Sequence, residues 1–320
     1  MPAADSLTPV AEAKIVGRRE RIGRIIQIIL LIALVVGLLL FARQVDYRAL
    51  WSALKAARPW PLLVAVGLQF GSVFFKSVYW TTALKPVARL PIFKSFRLTI
   101  ASAVASLVVP RGGEAFKVWQ LREQLGVEVP YSLAATGVEK LGDTLALVLL
   151  TSPLPYLFPD LPPSARRALI LLPIGFVLFV SFLLVVANHP SWSRHRWLVG
   201  FSLLRSPRIL AVGFVWIMLA WLCDLIMMRL VIDAVGPSVH AGATLLMMLF
   251  INLAISIPIS PGNVGTQELG VVLALTLSGA TRESALAVGL IHHACQTIPM
   301  ALAGTLDARA LVRGRLRLQG

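Results

Sequence analysis

Two short stretches place charge-binding groups where a membrane helix would have to stop. The first, Pro110-Arg111-Gly112-Gly113-Glu114, follows the apolar run 98–109. The second, Pro261-Gly262-Asn263-Val264-Gly265-Thr266-Gln267-Glu268, follows Ile257-Pro258-Ile259-Ser260. Proline and glycine break a helix, and a helix that restarts after them exposes free N–H groups whose dipole favours an anion. Arg111 adds a planar guanidinium fork matched to a phosphate. Gly112, Gly113, Gly262 and Gly265 bring backbone amides, and Asn263, Thr266 and Gln267 bring neutral hydrogen bonds. Glu114 and Glu268 either cap the restarted helices or meet a cationic group. The chemistry on offer is recognition of a phosphate-bearing lipid headgroup. The plainer alternative is that the glycines only shape two turns.

Further polar groups lie within apolar runs. A charge at the bilayer centre costs about 2.5–3.5 kcal/mol on insertion scales, so each needs a partner or a task. Glu139 and Asp143 are four residues apart and share a helix face, with Lys140 beside them. They form either a structural ion pair, for example Lys140 or Arg111 with Glu139, or a site for a headgroup amine or a coupling proton. His292, with His293 adjacent and Gln296 one turn on, occupies the corresponding helix of the second half. Helix–helix hydrogen bonding competes there with substrate contact. Asp224 and Arg229 are expected to pair within their span or to lie near its ends, and Lys76 to snorkel from a span end. Cys223 and Cys295 sit in apolar runs as small hydrophobes.

The elements that must position these groups follow from composition. The chain has 320 residues, 57% hydrophobic and only 14% charged. Soluble domains are about 45–50% apolar and about 25% charged, so this is an all-α polytopic membrane protein. The net charge of +15 is carried in short basic segments flanking apolar runs. That is the positive-inside pattern and not a nucleic-acid footprint. A basic cytoplasmic tail (1–24) precedes a single transmembrane domain (25–306), followed by a second basic cytoplasmic tail (307–320). About six full spans are expected, near 25–42, 60–84, 131–150, 168–187, 209–235 and 284–306. Two re-entrant hairpins, near 98–119 and 243–277, carry the broken stretches at their tips. Residues 43–59 read as an interfacial amphipathic segment with Leu50, Trp51 and Leu54 on one face, and 153–163 as an external loop. The basic residues of 43–59 fall on the side that positive-inside disfavours.

An internal repeat organises the rest. Val64-Ala65-Val66-Gly67 opens one half (about 60–152), and Leu210-Ala211-Val212-Gly213 opens the other (about 208–306). Each half continues with a broken hairpin and then a small-residue helix, Ser132-Leu133-Ala134-Ala135-Thr136-Gly137 or Ser284-Ala285-Leu286-Ala287-Val288-Gly289. An odd number of crossings separates the halves, so the repeats are inverted and the hairpin tips meet from opposite faces. Inverted repeats with broken helices at the midplane are a transporter architecture.

Pro110-Arg111-Gly112-Gly113-Glu114 followed by Glu139-Lys140-Leu141-Gly142-Asp143 resembles the P-G-R-x-G-E … E-R-x-x-D pattern of the lysylphosphatidylglycerol synthase transmembrane, or flippase-like, family. Pro261-Gly262-Asn263-Val264-Gly265 and the later His-bearing helix extend the resemblance over nearly the whole chain. It implies an inner-membrane protein related to the lipid-flipping half of the multiple peptide resistance factors. Relatives without the synthase half are associated with glycosyltransfer, polyprenyl-linked sugars or hopanoids. This chain departs from the pattern in having Arg-Gly where Gly-Arg is usual and Lys140 where arginine is usual. It also stops without an aminoacyl-transferase half, so lysyl transfer by this chain is not implied.

The expected function is handling or translocation of an anionic phospholipid or a polyprenyl-phosphate lipid in the inner membrane, with no cofactor and no metal. No P-loop motif is present, so a gradient or mass action would supply the energy. Two other readings stand beside it. One is an intramembrane polyprenyl-pyrophosphate phosphatase, whose metal site would need Glu114, Glu139 and Asp143 to converge. The other is a regulatory partner of a lipid-modifying enzyme or glycosyltransferase.

Overall fold

The computed structural model describes residues 46–109, 112–159, 162–188, 206–240, 242–256 and 260–312, together with Ile32, Val36, Arg43 and Val45. The expected N-terminal tail, most of the first span (25–42), Pro110, Arg111 and the basic loop 189–205 lie outside the described residues. Residues 1–45 and 46–320 form two units, and the second carries the architecture below.

Among the described residues the fold is entirely helical. Helix α1 (Tyr47–Ala56) is capped by Asp46, whose carboxylate accepts from the Arg48 and Ala49 amides. Leu50 is buried, whereas Trp51 is exposed, as for an amphipathic helix. Next come α2 (Pro59–Leu84), α3 (Ile92–Val108), α4 (Gly112–Leu125), α5 (Val129–Thr151) and α6 (Leu154–Leu157). The second part holds α7 (Pro163–Asn188), α8 (Pro207–Val235), α9 (Ala243–Ser256), a 3₁₀ turn (Pro261–Asn263), α10 (Thr266–Leu277) and α11 (Arg282–Val312). Prolines open α2, α5, α7 and α8, where a missing N–H costs nothing and the fixed φ suits the helix.

Four helices among the described residues are long and apolar enough to cross a membrane: α2, α7, α8 and α11 up to Thr305. Helix α5 has 23 residues, about 34 Å at 1.5 Å per residue, but Glu139, Lys140 and Asp143 keep it out of the apolar set. The limbs of the two broken segments are shorter. Helix α3 has 17 residues, α4 and α9 have 14 each, and α10 has 12. All fall short of the about 30 Å hydrocarbon thickness. Both α3 and α4 run several polar residues beyond their expected limits, because hydropathy marks the membrane and not the end of a helix.

Packing is reciprocal between the halves. The most extensive interface joins α2 to α8. Helix α3 packs on α4 and α11, and α9 packs on α10 and α5. Helix α4 meets α5 as α10 meets α11, and α5 meets α8 as α11 meets α2. Association of helices in lipid rests on close packing through small residues. Accordingly, Gly71 lies against Cys223, Gly213 against the Tyr79 ring and Gly304 against Val104. Helix α7 stands apart from this arrangement. It touches α5 and α6, and nothing in its apolar window is buried.

Two local expectations change. The 153–163 connection holds α6, whose Leu154 is fully buried, and Phe158 packs on His240 with ring centroids 5.0 Å apart. Arg58, one of the misplaced basic residues, has a local task. Its Nη2 donates to the Asp233 carbonyl at 2.5 Å and its backbone N–H to Ala234 at 3.0 Å. These bonds satisfy carbonyls at the C-terminus of α8, which Gly236 ends at φ 81°, and place a cation at the negative end of its dipole.

Candidate functional site: a polar cavity between two broken helix pairs

Each broken pair is held together by a glycine. A Cβ on Gly113 would lie 2.0 Å from the Ser102 carbonyl oxygen, so only glycine lets α4 approach α3 this closely. Gly270 has the corresponding place in the second pair, where a Cβ would meet the Phe250 carbonyl at 2.9 Å. The second tip turns through left-handed backbone at Gly262 (φ 61°), Asn263 (φ 59°) and Gly265 (φ 84°), a region that glycine and asparagine tolerate. Gly262 packs on Leu107 at the end of α3. The two tips therefore meet.

Both glycine amides of the first tip are already used. Gly112 N–H donates to Val109 O at 2.8 Å and Gly113 N–H to Ser106 Oγ at 3.1 Å. Gly265 N–H donates to Glu268 Oε2 at 2.7 Å. The expectation of free glycine amides awaiting an oxyanion is thus corrected at these three positions. A short tip can satisfy its donors from its own backbone and from the side chains packed on it. Thr266 also turns inward, its Oγ1 donating to Asn263 O at 2.9 Å.

Beside the tips lies a cavity of about 720 Å³. The first half supplies Lys76 from α2, Ser106 from α3, Glu114 from α4, and Lys140, Asp143 and Thr144 from α5. The second half supplies Trp221 and Asp224 from α8, Asn252 from α9, Ser260 and Asn263 from the tip, Gln267 from α10 and Gln296 from α11. Charges cluster on one side. Lys140 Nζ stands 3.1 Å from Glu114 Oε1 and 3.9 Å from Asp143 Oδ2. Lys76 Nζ stands 3.3 Å from Asp143 Oδ1, which also accepts from Trp221 Nε1 at 2.8 Å. Carboxamides form the facing wall. Gln267 Nε2 donates to Gln296 Oε1 at 2.8 Å and lies 3.0 Å from His292 Nδ1.

Of the residues singled out in the sequence, Glu114, Lys140, Asp143, Asn263, Gln267 and Gln296 come together on this cavity. Glu139 does not. It is buried and accepts from Trp80 Nε1 at 2.9 Å, and Lys117 Nζ sits 4.5 Å from the centre of the Trp80 ring. Lys140 accordingly pairs with Glu114 and Asp143 and not with Glu139, and the three carboxylates needed for a metal site do not converge. Among the described residues no three His, Cys, Asp or Glu side chains cluster as metal ligands. Glu268 and His293 are buried behind the carboxamide wall, with His293 Nδ1 2.5 Å from Glu268 Oε1. Glu268 caps its own helix through Gly265 N–H and meets His293 within the protein.

Three further expectations change. Lys76 does not snorkel from its span end but faces Asp143. It stands eight residues from Leu84, about 12 Å along the helix, and that depth was the available signal. Arg229 pairs with Asp233, Nη2 to Oδ1 at 2.7 Å, and not with Asp224. Asp224 lines the cavity instead. Trp221, Asn252 and Ser106 were not anticipated, and Asn252 alone carried a signal, as an amide within an otherwise apolar helix.

No curated protein matches this chain. The model of the family described as "Lysylphosphatidylglycerol synthase TM region" matches residues 26–304, and the chain belongs to that family.

Proposed function

We propose that this membrane protein, whose family is tied to lipid handling, is flippase-like. In this reading it moves a phosphate-bearing lipid, phospholipid or polyprenyl-linked, across the inner membrane. The observation that carries the reading is the cavity at the meeting of the two tips. It is large, holds two lysines and three carboxylates, and is walled by both halves. Ionisable groups at such depth are tolerated where they line a watery cavity and serve a ligand. Lys76 and Lys140 are the phosphate partners, and the sequence offers Arg111 as a third. Glu114 and Asp143 take a headgroup amine, and Asn263, Gln267 and Gln296 take neutral headgroup atoms.

The topology of the proposal is six crossings and two re-entrant hairpins (α3–α4 and α9–α10), with both termini cytoplasmic. Reciprocal packing of the halves, and limbs too short to span, support an inverted repeat around a midplane site. Transport is preferred to phosphatase chemistry because Glu139 turns away from the cavity.

The test uses the purified full chain in proteoliposomes holding labelled anionic phospholipid or polyprenyl-phosphate lipid. Dithionite quenching reads the outer leaflet, and phosphate release is assayed in parallel. Quenching beyond half, lost on Asp143→Asn and Lys140→Gln in folded protein, is the expected result. Metal-dependent phosphate release in place of quenching would replace transport with hydrolysis, and neither signal with any lipid would favour the partner reading.

A further inference from the structure

The two halves put the same acidic residue in the same place but give it different basic partners. Glu114 and Glu268 are each the third residue of the second limb, on α4 and α10. Each meets a basic side chain on the next long helix: Lys140 on α5, and His293, 25 residues on, on α11. The Lys140–Glu114 pair is half exposed, at 58% and 44% of the side chains. The His293–Glu268 pair is buried, at 11% and 10%. Lysine holds its charge throughout the physiological range, whereas imidazole is the side chain that changes charge within it. One half therefore carries a wet pair of fixed charge, and the other a dry pair whose charge can be removed by one proton.

A second observation points to an occupant. His292 is fully buried, and its Nε2 has no hydrogen-bond partner. Its Nδ1 meets Gln267, which bonds Gln296, and both glutamines line the cavity. Because Gln267 Nε2 donates to Nδ1, the neutral ring carries its proton on Nε2, and a buried N–H without a partner is a place for an acceptor such as water. Gln296, Gln267 and His292 thus lead from the cavity to the immediate neighbour of the His293–Glu268 pair.

We infer that Glu268, His293 and His292 form a proton-binding site linked to the cavity, so that lipid binding and protonation are coupled. The inference rests on the lipid-handling reading of the cavity. The step is the gain or loss of one proton on the His293 ring. With the proton, an imidazolium faces the Glu268 carboxylate. Without it, neutral His293 keeps Nδ1–H donating to Glu268, and the carboxylate is left as an uncompensated buried charge. Glu268 also accepts from Gly265, so the loss of charge on its partner His293 is felt at the second tip. Helix α9, packed on α10, has no ionisable residue. Helix α3 approaches α11 through Ile100 and Val104 at Gly304 and carries Lys94 and Arg97. Helix α11 also packs on α1, α2 and α8, which carry Arg48 and Lys55, Lys76, and Asp224, Arg229 and Asp233. Within α11 the nearest ionisable neighbours are His292 and Cys295.

The experiment has two arms, both on the full chain in micelles. The first follows ring-labelled histidines by NMR across pH. A signal absent in His293→Gln, and displaced in Glu268→Gln, is expected. A His293 signal that Glu268→Gln leaves unmoved would overturn the site. The second arm titrates dihexanoyl phosphatidylglycerol calorimetrically in two buffers of different ionisation enthalpy. Wild type is expected to exchange close to one proton per lipid bound. His293→Gln, which keeps a donor toward Glu268, is expected to exchange none while binding within tenfold of wild type. Lipid binding without proton exchange in wild type would overturn the coupling and leave lipid handling intact. Proton titration at His293 without binding of this lipid or of dihexanoyl phosphatidic acid would overturn the lipid-handling reading, and the coupling with it.

Discussion

Glu139 and Asp143 stand one turn apart on α5 yet bond different tryptophans, Glu139 to Trp80 Nε1 on α2 and Asp143 to Trp221 Nε1 on α8. One carboxylate belongs to packing and the other to the cavity. Asp143→Asn is therefore expected to lower lipid movement at least tenfold with little change in melting temperature. Glu139→Leu is expected to cost about 1–2 kcal/mol, the range for a buried hydrogen bond to a charged group or between membrane helices. Dithionite quenching and thermal unfolding of the same two variants check the division. A Glu139→Gln protein that folds normally but moves no lipid would reverse it.

The limbs of the first hairpin test the close approach. Gly113→Ala forces a methyl into the Ser102 carbonyl and is expected to destabilise severely, reading as poor yield or a large fall in melting temperature. Gly137→Ala on α5 meets nothing within 4 Å and is expected to be neutral or slightly stabilising through helix propensity. Similar losses for the two would mean that helix propensity and not contact governs the hairpin.

Exposure of Lys140 and of Lys117, on the adjacent helices α5 and α4, differs. The Lys140 side chain is 58% exposed, whereas Lys117 is buried against Trp80. In a chain with Cys223→Ala and Cys295→Ala, Lys140→Cys is expected to react with a hydrophilic maleimide at least tenfold faster than Lys117→Cys. Equal rates would mean that the cavity is not open to water.

Arg58 donates to the end of α8 through side chain and backbone. Arg58→Leu keeps the backbone bond and is expected to lower the melting temperature by about 1–3 °C, the response to under about 1 kcal/mol at a partly exposed helix end. Arg58→Lys should recover part of that loss.

How far the sequence could be read depends on what each signal measures. Proline and glycine at 110–114 and 258–265 mark both tips because backbone breaking is local chemistry. The approach of Gly262 to Leu107 joins the second tip to the end of α3, a contact between elements far apart in the chain that no local signal specifies. The split between Glu139 and Asp143 was not legible. Positions four apart differ by about 40° around a helix, and which neighbour each meets depends on helices far away in sequence. Amide saturation at Gly112 and Gly113 was hidden for a related reason. Ser106 takes Gly113 N–H only because the limbs fold back to contact distance. Lys76 was misread because its depth in the span was passed over, while the partner it meets there, Asp143, lies on a helix far away in sequence.

The α2–α8 interface has a mechanical consequence. It joins the opening helices of the two halves and is the most extensive contact in the fold. Gly71 and Gly213 bring the two axes together there, with Cys223 and the Tyr79 ring filling the seam. In the proposed transport reading this seam would serve as the pivot between the two broken helix pairs: a rotation about α2 and α8 would reshape the cavity without breaking the fold's largest contact.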